Sequence, residues 1–394
     1  MTPAARVDSA IGILDRVLAG SPAEQALTAW ARASRYAGSG DRAAVRDHVY
    51  GALRCLRSYT AMAGAAAPSG RALMIGALRA AGTDIDAVFC DRSYAPAALS
   101  DTERSALSVA PALAEMALAV RIDCPDWLMA PLADNLGADL EAVMAAQRLR
   151  APIFLRVNLA RISRAGAQTA LAAEGIATAV CDQAEAALIV VGSSNKINMS
   201  RTYLDGLVEL QDVSSQAAVE ALPLTDGLSV LDYCAGGGGK SLAMLARVRG
   251  DFTAHDAAPA RMRDLGVRAA RAGVKIRQAE GTALKAQGYD LVLVDAPCSG
   301  SGTWRRTPDA KWRLTPARLN ELTALQDQIL DAAAAYVRPG GHLAYMTCSL
   351  LKVENEDRMA AFVKRHSGFR LQSQRRFSPL QGGDGFFTAL LTRM

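Results

Sequence analysis

Through the first third of the chain, apolar residues recur three and four positions apart. Residues 5–19 place Val7, Ile11, Ile13, Leu14 and Leu18 near one helical stripe, and residues 23–36 repeat the pattern. Residues 37–41 (AGSGD) read as a loop, with Asp41 as the N-cap of the next helix. That third helix, 42–59, carries Val45, Val49, Leu53 and Leu56 on one face and Arg42, Arg46, Arg54 and Arg57 on the other. Taken alone, that arginine face is a solvated surface. Ala- and Leu-rich helices continue to about residue 145. Near Arg150 the period changes. Residues 152–159 (PIFLRVNL) and 186–193 (AALIVVGS) read as strands around a helix at 163–174, a small mixed α/β unit.

From Gly227 short apolar runs alternate with helical patterns. Strands are predicted at 228–233, 251–255, 274–279, 289–295 and 342–347. Helices are predicted at 240–249, 259–272 and 316–337, the last ended by Pro339-Gly340-Gly341, and another comes after the fifth strand. This alternation predicts a Rossmann-like α/β domain, a mostly parallel sheet with helices on both faces. Ligands of such sheets sit at the carboxyl ends of the strands. The organisation expected is a helical domain over 1–145, a small α/β subdomain over 146–210 and a catalytic α/β domain over 211–394.

Composition narrows the setting. Of 394 residues, 51% are hydrophobic and 21% charged, which excludes a mostly disordered chain. Forty-four basic against 39 acidic residues leave a net charge of +5, which tolerates a polyanionic partner without proving one. No apolar run approaches the ~18 residues of a membrane span. Asp8 and Asp15 interrupt any export signal, so a cytoplasmic protein is expected. The seven cysteines form no CxxC pair, and the four histidines show no HxxxH or HExxH spacing. Neither a disulfide framework nor a metal site is expected.

Between the first strand of the α/β region and its helix stands Asp232-Tyr233-Cys234-Ala235-Gly236-Gly237-Gly238-Gly239-Lys240-Ser241. Glycines let the backbone turn sharply and approach a ligand, and the helix start offers free N–H groups to an anion. A phosphate-binding P-loop would need glycine at 234, where Cys234 stands. A dinucleotide GxGxxG or GxGxxA motif read from Gly236 ends on Ser241. S-adenosylmethionine is the third candidate, its carboxylate end meeting this loop and Lys240. Asp256, at the end of the second strand, stands where an acid holds ribose hydroxyls. A plain glycine turn is the bland alternative.

Two further strand ends carry cysteine. The fourth ends Val294-Asp295-Ala296-Pro297-Cys298-Ser299-Gly300, the fifth Tyr345-Met346-Thr347-Cys348-Ser349. Free cysteines are commonly small buried hydrophobes. Both of these, however, come after the apolar part of their strand. In neighbouring parallel strands, two thiols and one carboxylate would meet at the ligand rim, where a thiolate can act as a nucleophile.

Asp295-Ala-Pro-Cys298-Ser-Gly-Ser-Gly302 resembles the DAPCSGxG motif of the RsmB/Sun (NOP2-like) RNA cytosine-5 methyltransferases. Thr347-Cys348-Ser349 followed by Glu354-Asn355-Glu356 resembles that family's TCSxxxxENE motif. Gln211–Gln216 (QDVSSQ) resembles its entry to the catalytic domain, and Gly383–Phe387 (GDGFF) its ending. Residues 41–54 look like the NusB-like RNA-binding helical domain of the bacterial branch, so the resemblance spans nearly the whole chain.

The resemblance implies transfer of a methyl group from S-adenosylmethionine to carbon 5 of cytosine in RNA, most simply small-subunit (16S) rRNA. It makes Cys348 the nucleophile that adds to carbon 6, Cys298 the residue assisting release, and Asp295 the carboxylate at the base edge. Cofactor contacts fall on Cys234, Ala235, Gly236, Gly237, Gly238, Gly239, Lys240, Asp256, Glu280 and Asp295. The family's CAAPGGK loop reads CAGGGGK here, and losing proline raises the entropy of ordering it, so altered affinity is expected. Glu280 stands where the family commonly has Asp.

Beside the Cys298 loop, Trp304-Arg305-Arg306 and Lys311-Trp312-Arg313, with Arg318, are expected to contact RNA by phosphate pairing and base stacking. The helix face with Arg42 and Arg57 is expected to join them. The target base must be unstacked, which favours a loop over a closed duplex. A monomer acting on RNA is expected. The alternatives are tRNA as substrate, a non-catalytic RNA-binding or ribosome-assembly factor retaining the fold, and a nucleotide-phosphate enzyme.

Overall fold

The computed structural model describes residues 1–192 and 196–394. The last residue of the strand expected at 186–193 lies outside the described residues. The chain forms two compact units, one of residues 1–150 with 303–314, the other of 151–302 with 315–394.

The first unit is helical. Helices α1 (Pro3–Leu18), α2 (Ala23–Ala33), α3 (Ser39–Arg54), α4 (Leu56–Met62) and α5 (Gly70–Ala80) bury a shared core that includes Ile13, Leu14, Val45, Val49, Leu53 and Leu73. Two expectations shift here. Helix α3 starts at Ser39 with Gly38 as its cap, and Asp41 sits one turn in, where its carboxylate accepts the Gly38 N–H at 3.2 Å. The helix expected over 42–59 breaks at Cys55, and α4 begins directly after the break.

Residues 303–314 pack into this unit, and this corrects the expected RNA contacts. Trp304, Arg305 and Lys311 are buried. A helix end leaves carbonyls without intrahelical partners, and this segment supplies donors to the end of α3. Trp312 Nε1 donates to the Leu53 carbonyl at 2.6 Å, and Lys311 Nζ reaches the Arg54 carbonyl at 3.5 Å. In return Arg54 Nε donates to the Arg305 carbonyl at 2.7 Å. Arg57 donates to the Cys124 carbonyl and pairs with Asp126 at 2.7 Å. Arg54 and Arg57 are therefore structural, whereas Arg42 and Arg46 remain exposed. Arg313 pairs with Asp309 at 3.5 Å within this segment, and in the second unit Arg318 pairs with Glu321 at 2.7 Å.

The second unit holds two sheets. Strands β1 (Phe154–Val157), β2 (Thr178–Val180), β3 (Ala187–Val190) and β4 (Val208–Leu210) form an antiparallel sheet in the order β2-β3-β1-β4. With helices Arg164–Ala173 and Arg201–Leu204 this is a β-α-β-β-α-β unit. Strands β2 and β4 are three residues each and carry no pattern long enough to read from sequence.

The larger sheet comprises β5 (Leu228–Asp232), β6 (Gly250–Ala254), β7 (Arg277–Gln278), β8 (Tyr289–Asp295), β9 (Val337–Thr347), β10 (Phe369–Phe377) and β11 (Phe386–Arg393). Its order is β10-β11-β9-β8-β5-β6-β7. The run β7-β6-β5-β8-β9 is parallel, and the β10-β11 hairpin joins antiparallel to β9. The strand order reverses between β5 and β8, the position at whose strand ends open α/β sheets bind their ligands. The sheet is covered on both faces, with Val230, Leu291, Leu293 and Met346 packed on one side and Leu231, Val292, Val294 and Tyr345 on the other. Alternation of side chains along β8 accounts for the two sets.

Candidate active site

The end of β5 supplies the glycine loop. Gly236 and Gly238 adopt left-handed φ of +50° and +77°, which glycine adopts without steric cost. A Cβ on Gly236 would meet nothing within 4 Å, so this turn faces open space. The loop is pinned from both sides. The Asp256 carboxylate accepts the Gly236 N–H at 3.0 Å and the Ala258 N–H at 2.9 Å. Arg268 Nη1 donates to the Gly237 carbonyl at 2.5 Å, and Arg156 from β1 donates to the Gly239 carbonyl at 2.7 Å. Glu209 of β4 pairs with Arg268 at 3.1 Å and also with Arg271. The small sheet thus buttresses the loop, a role the sequence did not signal. Hydrogen bonds from Arg268 and Arg156 restrain the stretch where proline is missing.

The other expected cofactor residues divide. Cys234 packs its side chain against the core beneath the sheet, and burial pushes its thiol up. Ala235 is buried and donates its N–H to the His255 carbonyl at 2.9 Å. Glu280 lies exposed beyond the end of β7. Lys240 Nζ donates to the Asp295 carboxylate, another of the expected cofactor residues, at 2.5 Å and lies 5.2 Å from the Phe386 ring centroid. Asp232, buried at the end of β5, accepts the Ser241 hydroxyl at 2.7 Å. Burial first, with Asp295 nearby, pushes its carboxyl up to about 6.

Strands β8 and β9 pair in parallel with Asp295 opposite Met346, so the segments after them emerge side by side. The Sγ atoms of Cys298 and Cys348 lie 3.5 Å apart. Neither cysteine is sealed into the core. The hydrogen bond to Cys348 first, then burial and the charges of Cys348 and Glu354, raise the Cys298 thiol well above its ordinary value. The shift favours the protonated Cys298 thiol, and either sulfur can be the donor in this contact.

A buried polar cluster holds the two cysteine segments in register. Glu354 is fully buried and accepts four hydrogen bonds. They come from the Ser299 N–H (2.8 Å) and hydroxyl (2.5 Å), the Ser349 hydroxyl (2.5 Å) and Gln326 Nε2 (3.0 Å). Gln326, from the helix Pro316–Ala334, also donates to the Pro297 carbonyl at 2.9 Å. Asn355 accepts from Thr347 at 2.5 Å and donates to the Ser349 carbonyl at 2.9 Å. The Glu354-Asn355 pair was visible as part of a motif, but nothing in the sequence gave it this function. Gln326 carried no signal at all, being one polar residue in a mixed helix.

A parallel sheet with an antiparallel terminal hairpin, a glycine loop after its first strand and an acid after its second define a Rossmann-like methyltransferase domain. Residues 219–392 match the family model described as 16S rRNA methyltransferase RsmB/F, and residues 124–195 match the ferredoxin-like domain of the same group. Among curated relatives, ribosomal RNA small subunit methyltransferase B of Xanthomonas campestris pv. campestris is 34% identical over 290 residues. The protein of that name from Serratia proteamaculans is 31% identical over 285. Each alignment covers 68% of this chain and 66% of the relative's length. The chain belongs to the RsmB/Sun family, the group of the RsmB/F methyltransferases. Among solved structures, PH0851 aligns with a TM-score of 0.76 at 22% identity over 99% of both chains. A methyltransferase homolog from Pyrococcus horikoshii aligns at 0.60 and 24% over 70% of this chain and 97% of its own. These likenesses show the fold.

Proposed function

We propose that this protein transfers a methyl group from S-adenosylmethionine to carbon 5 of a cytosine in RNA, with small-subunit (16S) rRNA as substrate. The reading rests above all on the 3.5 Å approach of Cys298 and Cys348 at adjacent strand ends, in the unit that carries Asp295 and the glycine loop. The named relatives are small-subunit rRNA methyltransferases, and the match over 66% of their length supports the same substrate.

The site fits the cofactor. The open side of Gly236 admits a ligand against the backbone, and the buried Asp256 carboxylate stands at the end of β6 for hydroxyl groups. Cys234 and Ala235 contribute backbone, Gly236 to Gly239 the turn, and Glu280 the outer wall. When bound, S-adenosylmethionine supplies an electrophilic methyl sulfonium. Lys240 holds Asp295 through their ion pair, and the two would present one donor and one acceptor to the polar edge of a pyrimidine.

Cytosine carbon 5 is a weak nucleophile. Addition of the Cys348 sulfur to carbon 6 forms an S–C6 bond and makes carbon 5 an enamine carbon, able to take the methyl group. The carbon 5 proton then passes to solvent water, and its electron pair restores the C5–C6 double bond as the S–C6 bond breaks and the Cys348 sulfur leaves as thiolate. Cys298, in contact with that sulfur, assists the release. The base must be unstacked to reach this rim. We place the enzyme in the cytoplasm as a monomer. Among the described residues no helix is long and apolar enough to cross a membrane.

Radiolabelled methyl transfer to unmodified rRNA tests the proposal. The wild type should label one cytosine at carbon 5, mapped by bisulfite sequencing, and Cys348→Ala should label none. Equal labelling by both removes Cys348 from its role. Labelling of tRNA alone moves the substrate. Absence of labelling by the wild type on any RNA leaves a binding factor.

A further inference from the structure

The first unit carries a cleft of about 570 Å³ between α2 and α3, remote in sequence from every residue of the methyl-transfer site. Its walls include Arg32 and Arg35 from the end of α2 and the turn after it, and Arg42 and Arg46 from the first half of α3. All four arginines are exposed. Among the described residues none of the four side chains enters a hydrogen bond or ion pair. That separates them from Arg6, Arg54, Arg57, Arg71 and Arg148 of the same unit, each held by a carbonyl or carboxylate. The one acid on the wall, Glu24, already accepts the Tyr50 hydroxyl at 2.8 Å. Trp30 forms part of the same wall, half-buried, with part of its ring packed on the helical core.

Four uncompensated cations around one cleft repel one another, and no acid among the described residues pairs with them. A polyanion relieves all four at once. Guanidinium groups fork onto phosphate oxygens, and a half-buried indole offers a face for one unstacked base. We propose that this cleft is a second RNA site, which grips a single-stranded stretch of the substrate by its phosphates and stacks one base on Trp30. It rests on the reading that the protein acts on RNA. The residues it uses differ from those marked by sequence alone: Arg32, Arg35 and Trp30 join Arg42 and Arg46, while Arg54 and Arg57 drop out. An acidic protein segment offers carboxylates but no planar bases, so Trp30 distinguishes the two ligands.

The test uses the full chain, a single-stranded 16S rRNA fragment and poly-glutamate as competitor. Affinity is measured across salt concentrations for wild type, for Trp30→Ala, and for the variant combining Arg32→Gln, Arg35→Gln, Arg42→Gln and Arg46→Gln. Losing four phosphate contacts should flatten the slope of log K against log salt by about 3. Trp30→Ala should weaken binding about tenfold with the slope unchanged. In methyl transfer the fourfold variant should raise KM for rRNA and leave kcat at saturating RNA intact. Wild-type slope and affinity in the fourfold variant, with methyl transfer preserved, overturn the cleft proposal alone. Competition by poly-glutamate that is insensitive to Trp30→Ala also overturns it, in favour of an acidic protein partner. Failure of the wild type itself to bind or methylate RNA removes the functional reading and the cleft proposal with it.

Discussion

Glu354 receives both the backbone N–H and the side-chain hydroxyl of Ser299, at 2.8 and 2.5 Å, one on each carboxylate oxygen. Ser299 directly follows Cys298, and Glu354 stands six residues after Cys348. One buried carboxylate therefore fixes the backbone beside one cysteine from the segment that carries the other. The thiols meet because this carboxylate holds them together, and its charge is one of the causes that keep the Cys298 thiol protonated.

Glu354→Gln should separate these effects. Four donors converge on the carboxylate, and an amide replaces one acceptor oxygen with a donor. Each buried group left unpaired costs about 1–3 kcal/mol, so a lower Tm is expected. kcat should fall, while affinity for S-adenosylmethionine should hold because the glycine loop is untouched. Removing the charge should also bring the Cys298 thiol down, and alkylation rate against pH in a Cys348→Ala background reads this directly. A lower Tm with an unmoved alkylation profile would leave Glu354 a purely structural group.

Cys298→Ala should trap the reaction after methyl transfer. Its sulfur touches that of Cys348, so its loss leaves addition intact and slows release. A protein–RNA adduct stable on a denaturing gel is expected, and adding Cys348→Ala should abolish it. Turnover at the wild-type rate with no adduct would remove Cys298 from the release step.

Sequence legibility tracked local pattern. β8 was readable because its YDLVLVD run is apolar on both faces, as a central parallel strand requires. Pro339-Gly340-Gly341 read as a helix stop, yet β9 spans it. The ladder steps from Tyr289–Val337 to Leu291–His342, and residues 338–341 bulge out where proline has no N–H to give. β10 escaped notice because it is an edge strand, polar along most of its length (FRLQSQRRF). The cysteines and glycine loop stood out because their chemistry is carried in contiguous residues. The error at Trp304, Arg305 and Lys311 came from treating nearness in sequence to Cys298 as nearness in function. Nothing in a basic, aromatic segment says which unit it packs into.

Arg268→Ala should loosen the cofactor loop. Arg268 holds the Gly237 carbonyl at 2.5 Å, in a stretch whose glycines give the backbone little stiffness of its own. A hydrogen bond to a charged group contributes about 1.5–3 kcal/mol, so binding of S-adenosylmethionine should weaken by about tenfold or more, with kcat at saturation changed little. Calorimetric titration of the cofactor checks this. Unaltered affinity would mean that Arg156 and Asp256 suffice to order the turn.

Lys311 offers a pH test of the packed segment. Burial first, opposed by Asp123, lowers its ammonium from an ordinary value of 10.5 to about 8. Between about pH 8 and 10.5 the unfolded chain binds the proton and the folded one does not, so this group's contribution raises stability as pH rises through that window. Below pH 8 the folded protein carries a buried cation whose hydrogen bond to the Arg54 carbonyl is long, at 3.5 Å. Lys311→Met keeps the volume and removes the charge. Its Tm should exceed that of the wild type at pH 7, by the equivalent of up to ~3 kcal/mol at 1.36 kcal/mol per pKa unit. The excess should shrink steadily as pH approaches 10.5. A Tm difference constant from pH 7 to 10.5 would show that Lys311 keeps its ordinary affinity for the proton in the folded chain.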